Sequence, residues 1–265
     1  MSDPILANYH THTARCQHAQ GAEEEYIQAA LQAGYRILGF SDHTPWDFDS
    51  GYDSYCRMRL YELPDYIQTL QALREKYAGR IHILIGLEAE YFPGHMDWLR
   101  QQAAHWQLDY LVFGNHFRRS EECGDYYGDA CTPAMLNDYV DDAIRGMETG
   151  LFACLAHPDL CLNHYPRFDA EAEHAMRRLC EAAVRLDIPL EYNLLGEARR
   201  AAPRPDLGYT TPDFWRIAAD YPVRVIVGSD AHSPAGIAPA AHVRKVQEML
   251  RAMGIRVLDT LPGLV

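Results

Sequence analysis

Pro4-Ile5-Leu6-Ala7-Asn8-Tyr9-His10-Thr11-His12-Thr13 is a short apolar run that ends in two histidines one residue apart. Residues 5–9 read as a β-strand. Alternate side chains of an extended backbone share a face, so His10 and His12 point the same way and both imidazoles can reach one metal ion. A further histidine, His18, stands eight residues after His10.

The same punctuation recurs along the chain. Apolar runs at 36–41, 80–86, 109–114, 151–156, 189–193 and 223–227 have the length of strands. Most are followed at once by a histidine or a carboxylate: Asp42-His43, Glu88, Asn115-His116, His157 and Asp230-Ala231-His232. The run at 189–193 carries Glu191 and Asn193 and leads into a loop bearing Arg199 and Arg200. Amphipathic helices lie between the runs. One opens on Glu23-Glu24-Glu25 and stops at Gly34; others enter through Pro64, Thr132-Pro133 and Thr211-Pro212; the last, 239–253, stops at Gly254. A short extended piece at 255–258 follows it.

Seven strand–helix units without a low-complexity linker predict one domain, 1–265, with a parallel sheet closed or nearly closed into a barrel. Such barrels work at the C-terminal ends of their strands, and that is where the polar residues fall. An open doubly wound sheet is the alternative, but no Gly-x-Gly-x-x-Gly turn follows the first strand.

Composition narrows the partners. A net charge of −13 repels nucleic acid and anionic membranes. An anionic substrate would need local positive charge, and bound metal ions are the obvious source. The cysteines number seven, an odd count, with no Cys-x-x-Cys pair, which fits the reduced thiols of a cytoplasmic protein. No stretch approaches the ~18–20 apolar residues of a membrane span, and no basic flank with an apolar leader marks secretion. A cytoplasmic protein without membrane or nucleic-acid partners is therefore expected.

The candidate ligands are His10, His12, His18, His43, Glu88, His116, His157, Asp230 and His232. Seven imidazoles and two carboxylates on one barrel face suit Zn²⁺, Mn²⁺ or Fe²⁺. They exceed what one ion takes and suffice for a cluster of two or three with a bridging carboxylate. The other six histidines (His82, His95, His105, His164, His174 and His242) do not share that placement. Glu90 lies two residues from Glu88 and can face the same side; Glu88 is preferred because it directly follows the strand.

These stretches resemble the polymerase-and-histidinol-phosphatase (PHP) superfamily, in order and over nearly the whole chain. The resemblance rests on His10-Thr11-His12-Thr13, Ser41-Asp42-His43, Gly86-Leu87-Glu88, Asn115-His116, Ala156-His157-Pro158 and Ser229-Asp230-Ala231-His232. Arg15-Cys16-Gln17-His18-Ala19, Gly39 to Pro45, Arg57-Met58, Gly86 to Pro93 and Asp109-Tyr110 are similar to its stand-alone histidinol-phosphatase branch. The resemblance implies a distorted (βα)7 TIM-like barrel and three divalent metal ions. His10, His12, Glu88 and Asp230 would hold one; Glu88 would bridge to a second with His116 and His157; His18, His43 and His232 would hold the third.

The implied chemistry is hydrolysis of L-histidinol phosphate, a small phosphorylated metabolite of histidine biosynthesis, by hydroxide that the metals generate at neutral pH. No nucleophilic Ser or Cys motif is evident. Asp42 is expected to orient His43 or relay a proton. Arg57, Arg59, Arg118, Arg119, Arg199 and Arg200 all follow strands on the active face, and guanidinium suits phosphate. Arg57 and Arg200 are the choices, with Glu62 and Asp159 for the amine and imidazole, and with Trp46 and Tyr52 to cover the ring. The rivals are a nuclease or phosphodiesterase of the same superfamily, another small-molecule phosphatase, a non-catalytic metal-binding domain and a metal-dependent amidohydrolase.

Overall fold

The computed structural model describes residues 5–264 except 123, 202, 204 and 205. Its strands are β1 (Ala7–Asn8), β2 (Ile37–His43), β3 (His82–Ala89), β4 (Tyr110–Phe113), β5 (Cys154–Leu155), β6 (Leu190–Asn193), β7 (Arg224–Gly228) and β8 (Arg256–Val257). The helices between them are α1 (Glu23–Ala33), α2 (Leu63–Lys76), α3 (Met96–His105), α4 (Pro133–Glu148), α5 (Ala170–Arg185), α6 (Leu194–Arg200), α7 (Pro212–Ala218) and α8 (Ala240–Ala252).

Local chemistry sets the helix limits. Thr132 accepts a hydrogen bond from Met135 N and Asp169 one from Ala172 N, so α4 and α5 begin on capped amides. Gly34 ends α1 with φ +87°, a conformation that costs glycine no Cβ clash. The segment 194–200, read from the sequence as a loop, is the helix α6. Asn193 caps it by accepting from Gly196 N. Seven residues are too few for apolar periodicity to register.

The strands are parallel and neighbour one another in sequence order. The extended piece near 255–258 proves to be an eighth strand, paired with the start of β7 through Arg224↔Arg256 and Val225↔Val257. At the other rim β8 is absent and the chain beyond β1 meets the chain beyond β7. Thr11 bridges Ala231, His12 N donates to Ala231 O at 2.9 Å, and Ala231 N donates to His10 O at 3.2 Å. The sheet thus curls into a distorted TIM-like barrel whose C-terminal rim is joined at the histidine-bearing segments themselves.

Two apolar layers fill it. Helices pack on the outside of the sheet through Tyr26, Ile27, Leu70, Leu136, Val140, Leu179 and Leu250. Inside are Ala7, Tyr9, Ile37, Leu84, Tyr110, Val112, Cys154, Ala156 and Ile226, with Leu258, Leu261 and Leu264 closing the lower end. Tyr110 crosses this interior and donates to Tyr9 O at 2.7 Å. Gly86 makes room for it: a Cβ there would sit 2.5 Å from Tyr110 O and 2.7 Å from its ring. No described helix is long and apolar enough to cross a membrane.

Gly86→Ala is therefore expected to lower unfolding stability by about 1–3 kcal/mol through overpacking against a backbone carbonyl. Gly94→Ala, where a Cβ meets nothing within 4 Å, serves as the control. Urea unfolding of both variants checks it.

Candidate metal centre

Each polar residue at the rim is delivered by a strand end. β1 leads to His10 and His12, β2 ends in Asp42 and His43, β3 carries Glu88, β4 is followed by His116, β5 by His157, and β7 by Asp230 and His232. His157 and Asp230 take positive φ, +28° and +50°. Such backbone is strained for a non-glycine residue, most of all for His157, and is held there by the surrounding packing.

The nine residues meet. Glu88 Oε1 lies 3.0 Å from His157 Nε2, 3.4 Å from His116 Nε2 and 3.5 Å from His10 Nε2, and Glu88 Oε2 lies 3.0 Å from His43 Nδ1. Asp230 Oδ1 is 3.2 Å from His12 Nε2 and 3.5 Å from His10 Nε2. His18 Nε2 and His232 Nε2 are 3.0 Å apart. His10, His12, Glu88 and His157 are almost wholly buried, His232 is partly buried and His18 is exposed.

The hydrogen bonds behind the rings settle which nitrogen faces inward. His10 Nδ1 donates to Glu191 Oε1 at 2.8 Å and His116 Nδ1 to Glu90 Oε1 at 2.8 Å. His18 Nδ1 donates to Cys16 O at 2.8 Å and His232 Nδ1 to Asp230 O at 3.1 Å. Those oxygens only accept, so each Nδ1 carries a proton, and each Nε2 faces the centre with a lone pair to offer whenever the ring is neutral. Nε2 atoms face each other in two places, His10 with His12 at 3.2 Å and His18 with His232 at 3.0 Å. Glu88 Oε2 and Asp230 Oδ1 are buried and accept no hydrogen bond from the described residues. Ring nitrogens at these distances, with carboxylate oxygens among them, can converge on cations. Ligand atoms of His10, His12 and Asp230, of His10, Glu88 and His157, and of His18, His43 and His232 each lie within 4.8 Å of one another. The donor set fits divalent metals.

Electrostatics point the same way. Burial pushes Glu88 up, but His116, His10 and His43 outweigh it and hold its carboxyl well below the usual range. Burial opposes protonation of His10, yet Glu191, Asp230 and Glu88 raise it well above the ordinary imidazole value. His43 is driven well below that value by burial and by His12, and His232 is pushed down to about 3 by the same two causes. The cluster cannot protonate every ring at once.

The centre forms the floor of a cleft of about 740 Å³, its open mouth included. Tyr55, Cys56, Phe117, Tyr126, Leu160, Leu195, Arg199 and Tyr209 line the walls.

The remaining sequence candidates take other places. Asp42 is fully buried behind the rings and meets His12, not the His43 ring. Its Oδ1 is 3.4 Å from His12 Nδ1 and accepts from His43 N at 2.9 Å, and its Oδ2 accepts from the hydroxyl of Thr13. Arg57 reaches the cleft but is 1 % exposed, its guanidinium held by Glu90 and Glu121. Arg200 donates to Thr210 O at 3.1 Å and lines an adjoining cleft that also reaches His18, Asp230 and His232, while its neighbour Arg199 enters the cleft above the centre and donates to Tyr209 Oη at 3.3 Å. Glu62 accepts from Arg59 N at 2.6 Å and is used in capping. Asp159 accepts from Thr211 N at 2.7 Å, outside the cleft lining, and burial raises it to about 6. Trp46 packs on Phe92 and Trp98 and donates to Glu90 Oε2 at 2.8 Å, and Tyr52 packs on Phe48, so neither covers the centre. Glu90, set aside as a ligand, supports His116, and Glu191, absent from the candidate ligands, supports His10. Glu191 also accepts from His157 N and Asn193 Nδ2.

A parallel barrel with an imidazole and carboxylate cage at its strand ends is the architecture of a metal-dependent hydrolase. The chain belongs to the PHP family: the PHP domain matches residues 8–194. It is 31 % identical over 234 residues, 86 % of this chain and 87 % of the relative, to the Probable histidinol-phosphatase of Deinococcus radiodurans. To the Schizosaccharomyces pombe protein of the same description it is 33 % identical over 114 residues, 40 % of this chain and 37 % of that one. The histidinol phosphate phosphatase of Lactococcus lactis, solved with Zn, L-histidinol and phosphate, shares the fold with a TM-score of 0.70 at 17 % identity, covering 96 % of this chain and 95 % of that one.

A Cβ on Gly114 would collide with the Glu88 carboxylate and with the His116 ring, 2.6 Å away. Gly114→Ala should fold yet retain less metal after dialysis than the parent protein, as elemental analysis of the two would show.

Proposed function

We propose that this protein is a metal-dependent phosphomonoesterase that hydrolyses L-histidinol phosphate to L-histidinol and phosphate. One observation carries the reading. A cage of seven imidazoles and two carboxylates opens into a cleft, in a chain aligned over 86 % of its length with a protein described as a histidinol-phosphatase. His10, His12, Glu88 and Asp230 would hold one ion. Glu88, His116 and His157 would hold a second, and His18, His43 and His232 a third. Zn²⁺, Mn²⁺ and Fe²⁺ suit these donors. When bound, such ions lower the pKa of water toward neutrality and offset the charge that develops on phosphate oxygens.

The chain's own residues do the rest. Glu191 and Glu90 fix the His10 and His116 rings so that Nε2 faces the centre. His18, His43, His116, His157 and His232 face the cleft, whereas His10 and His12 lie beneath its floor, so a phosphate meets the first group. Arg199 supplies a planar donor suited to phosphate oxygens. The aromatic walls from Tyr55, Phe117, Tyr126 and Tyr209 suit an imidazole ring stacked away from the ions. Burial raises the Tyr126 hydroxyl to about 12, so it stays protonated and able to donate. A cytoplasmic setting is in keeping with the described cysteines, all unpaired; Cys123 lies outside the described residues.

Phosphate release from L-histidinol phosphate tests the proposal beside cleavage of a short single-stranded oligonucleotide. Turnover of the phosphomonoester alone is expected, lost on chelation and restored by added divalent metal; faster oligonucleotide cleavage or no phosphate release would overturn it. His116→Ala is expected to lower kcat/KM by at least about 100-fold, beyond the range typical of supporting residues. Arg199→Ala should act mainly on KM.

A further inference from the structure

A second polar assembly is buried beside the cage, where two loops meet. Residues 44–61 and 114–132 wall the cleft, the first through Tyr55 and Cys56, the second through Phe117 and Tyr126. Arg57 lies between them. Its Nη2 donates to Glu90 Oε1 at 2.5 Å, its Nε to Glu121 Oε2 at 2.5 Å and its Nη1 to Thr44 O at 3.4 Å. Glu121, 7 % exposed, uses its other oxygen to accept from Ser54 Oγ at 2.6 Å and Tyr52 Oη at 3.2 Å. The Glu90 oxygen that receives Arg57 also receives His116 Nδ1 at 2.8 Å. The result is an unbroken chain, Glu121–Arg57–Glu90–His116.

Charge explains why the chain has a second acid. A guanidinium keeps its proton, so burying Arg57 requires a carboxylate partner. Glu90 alone would neutralise it. Glu121 leaves the trio with one surplus negative charge in a buried site. Ser54, Tyr52 and Trp46 donate hydrogen bonds to the two carboxylates and offset part of that surplus, and positive charge at the centre beyond His116 would offset the rest. Glu121 also grips Nε, which fixes the rotation of the guanidinium and aims Nη2 at Glu90. Both effects leave Glu90 a stronger acceptor for the His116 N–H and make Nε2 a better donor.

We propose that Glu121 is a positioning residue for His116, acting through Arg57 and Glu90, an inference that rests on reading His116 as a metal ligand. It ties the two loops that wall the cleft to one ligand of the centre.

Co²⁺ titration of the full chain, followed by visible absorption, tests this without substrate. Glu121→Gln should weaken the affected Co²⁺ about tenfold, the low end for supporting residues, and alter its visible band. Glu122→Gln, the same charge change one residue on, should alter neither. The double variant Glu90→Gln/Glu121→Gln should match Glu90→Gln alone, because the two residues act in series. Wild-type titration by Glu121→Gln, or a double variant weakened by the product of the singles, overturns the proposal. If Glu121→Gln does not fold, Ser54→Ala loosens Glu121 without changing a charge. It should weaken the same Co²⁺ by about two- to threefold, and no change there overturns the proposal. Parent protein that takes up no Co²⁺ would overturn the metal reading itself, which separates the two failures.

Discussion

A carboxylate that is 1 % exposed is the constraint on which the centre depends. Glu88 would ordinarily take up a proton in such a place, because desolvating its charge costs several kcal/mol. It is kept ionised by four imidazoles within 3.5 Å. The imidazoles have the opposite difficulty, for rings this close cannot all be cationic. Protons therefore cannot satisfy the cage. Divalent ions can, since they supply concentrated positive charge and accept lone pairs from neutral nitrogen. The fold serves that end. The rim closes through the backbone of His10, His12 and Ala231, and Gly114 and Gly228 leave room for the carboxylates of Glu88 and Glu191.

The barrel and the cage were legible in the sequence because both rest on local signals. A short apolar run followed by His or Asp says where a strand ends and what stands on the rim. Thr132-Pro133 marks a helix start by the hydrogen bond that Thr132 accepts. The helix Leu194–Arg200 was missed since its one strong signal, the Asn193 cap, is a single residue. Glu191 was noticed on its strand but not placed in the site. Its task of turning His10 is a property of the pair, which no signal in its own strand announces.

Arginines and aromatics show the other limit. Nothing in the type or loop position of Arg57 separates an anion binder from a buried tie. The difference lies in Glu90, 33 residues away, and Glu121, 64 residues away. Arg199 and Arg200 are adjacent, yet the turn of a helix sends one into the cleft and the other to Thr210 O. Trp46 looked like a lid because it sits in a polar loop; burial against Phe92 and Trp98 makes it a support for Glu90 instead.

The cage is graded from core to mouth. His10 and His12 are sealed beneath the cleft floor, while His18 is exposed and His232 partly so. Ions at the sealed end would be held by rings with little freedom, since packing fixes His12 and the Glu191 bond fixes His10. The mouth is built on shorter-range supports, a backbone carbonyl behind each of His18 and His232. A backbone carbonyl orients a ring but adds no full charge, so it strengthens the ring as a donor less than Glu191 or Glu90 does. Were ions bound as proposed, the deep rings would favour retention and the outer pair exchange of ligands with solvent. A hydrolytic centre needs that division, because its water and its phosphate must come and go at the open end while the cage beneath keeps its shape.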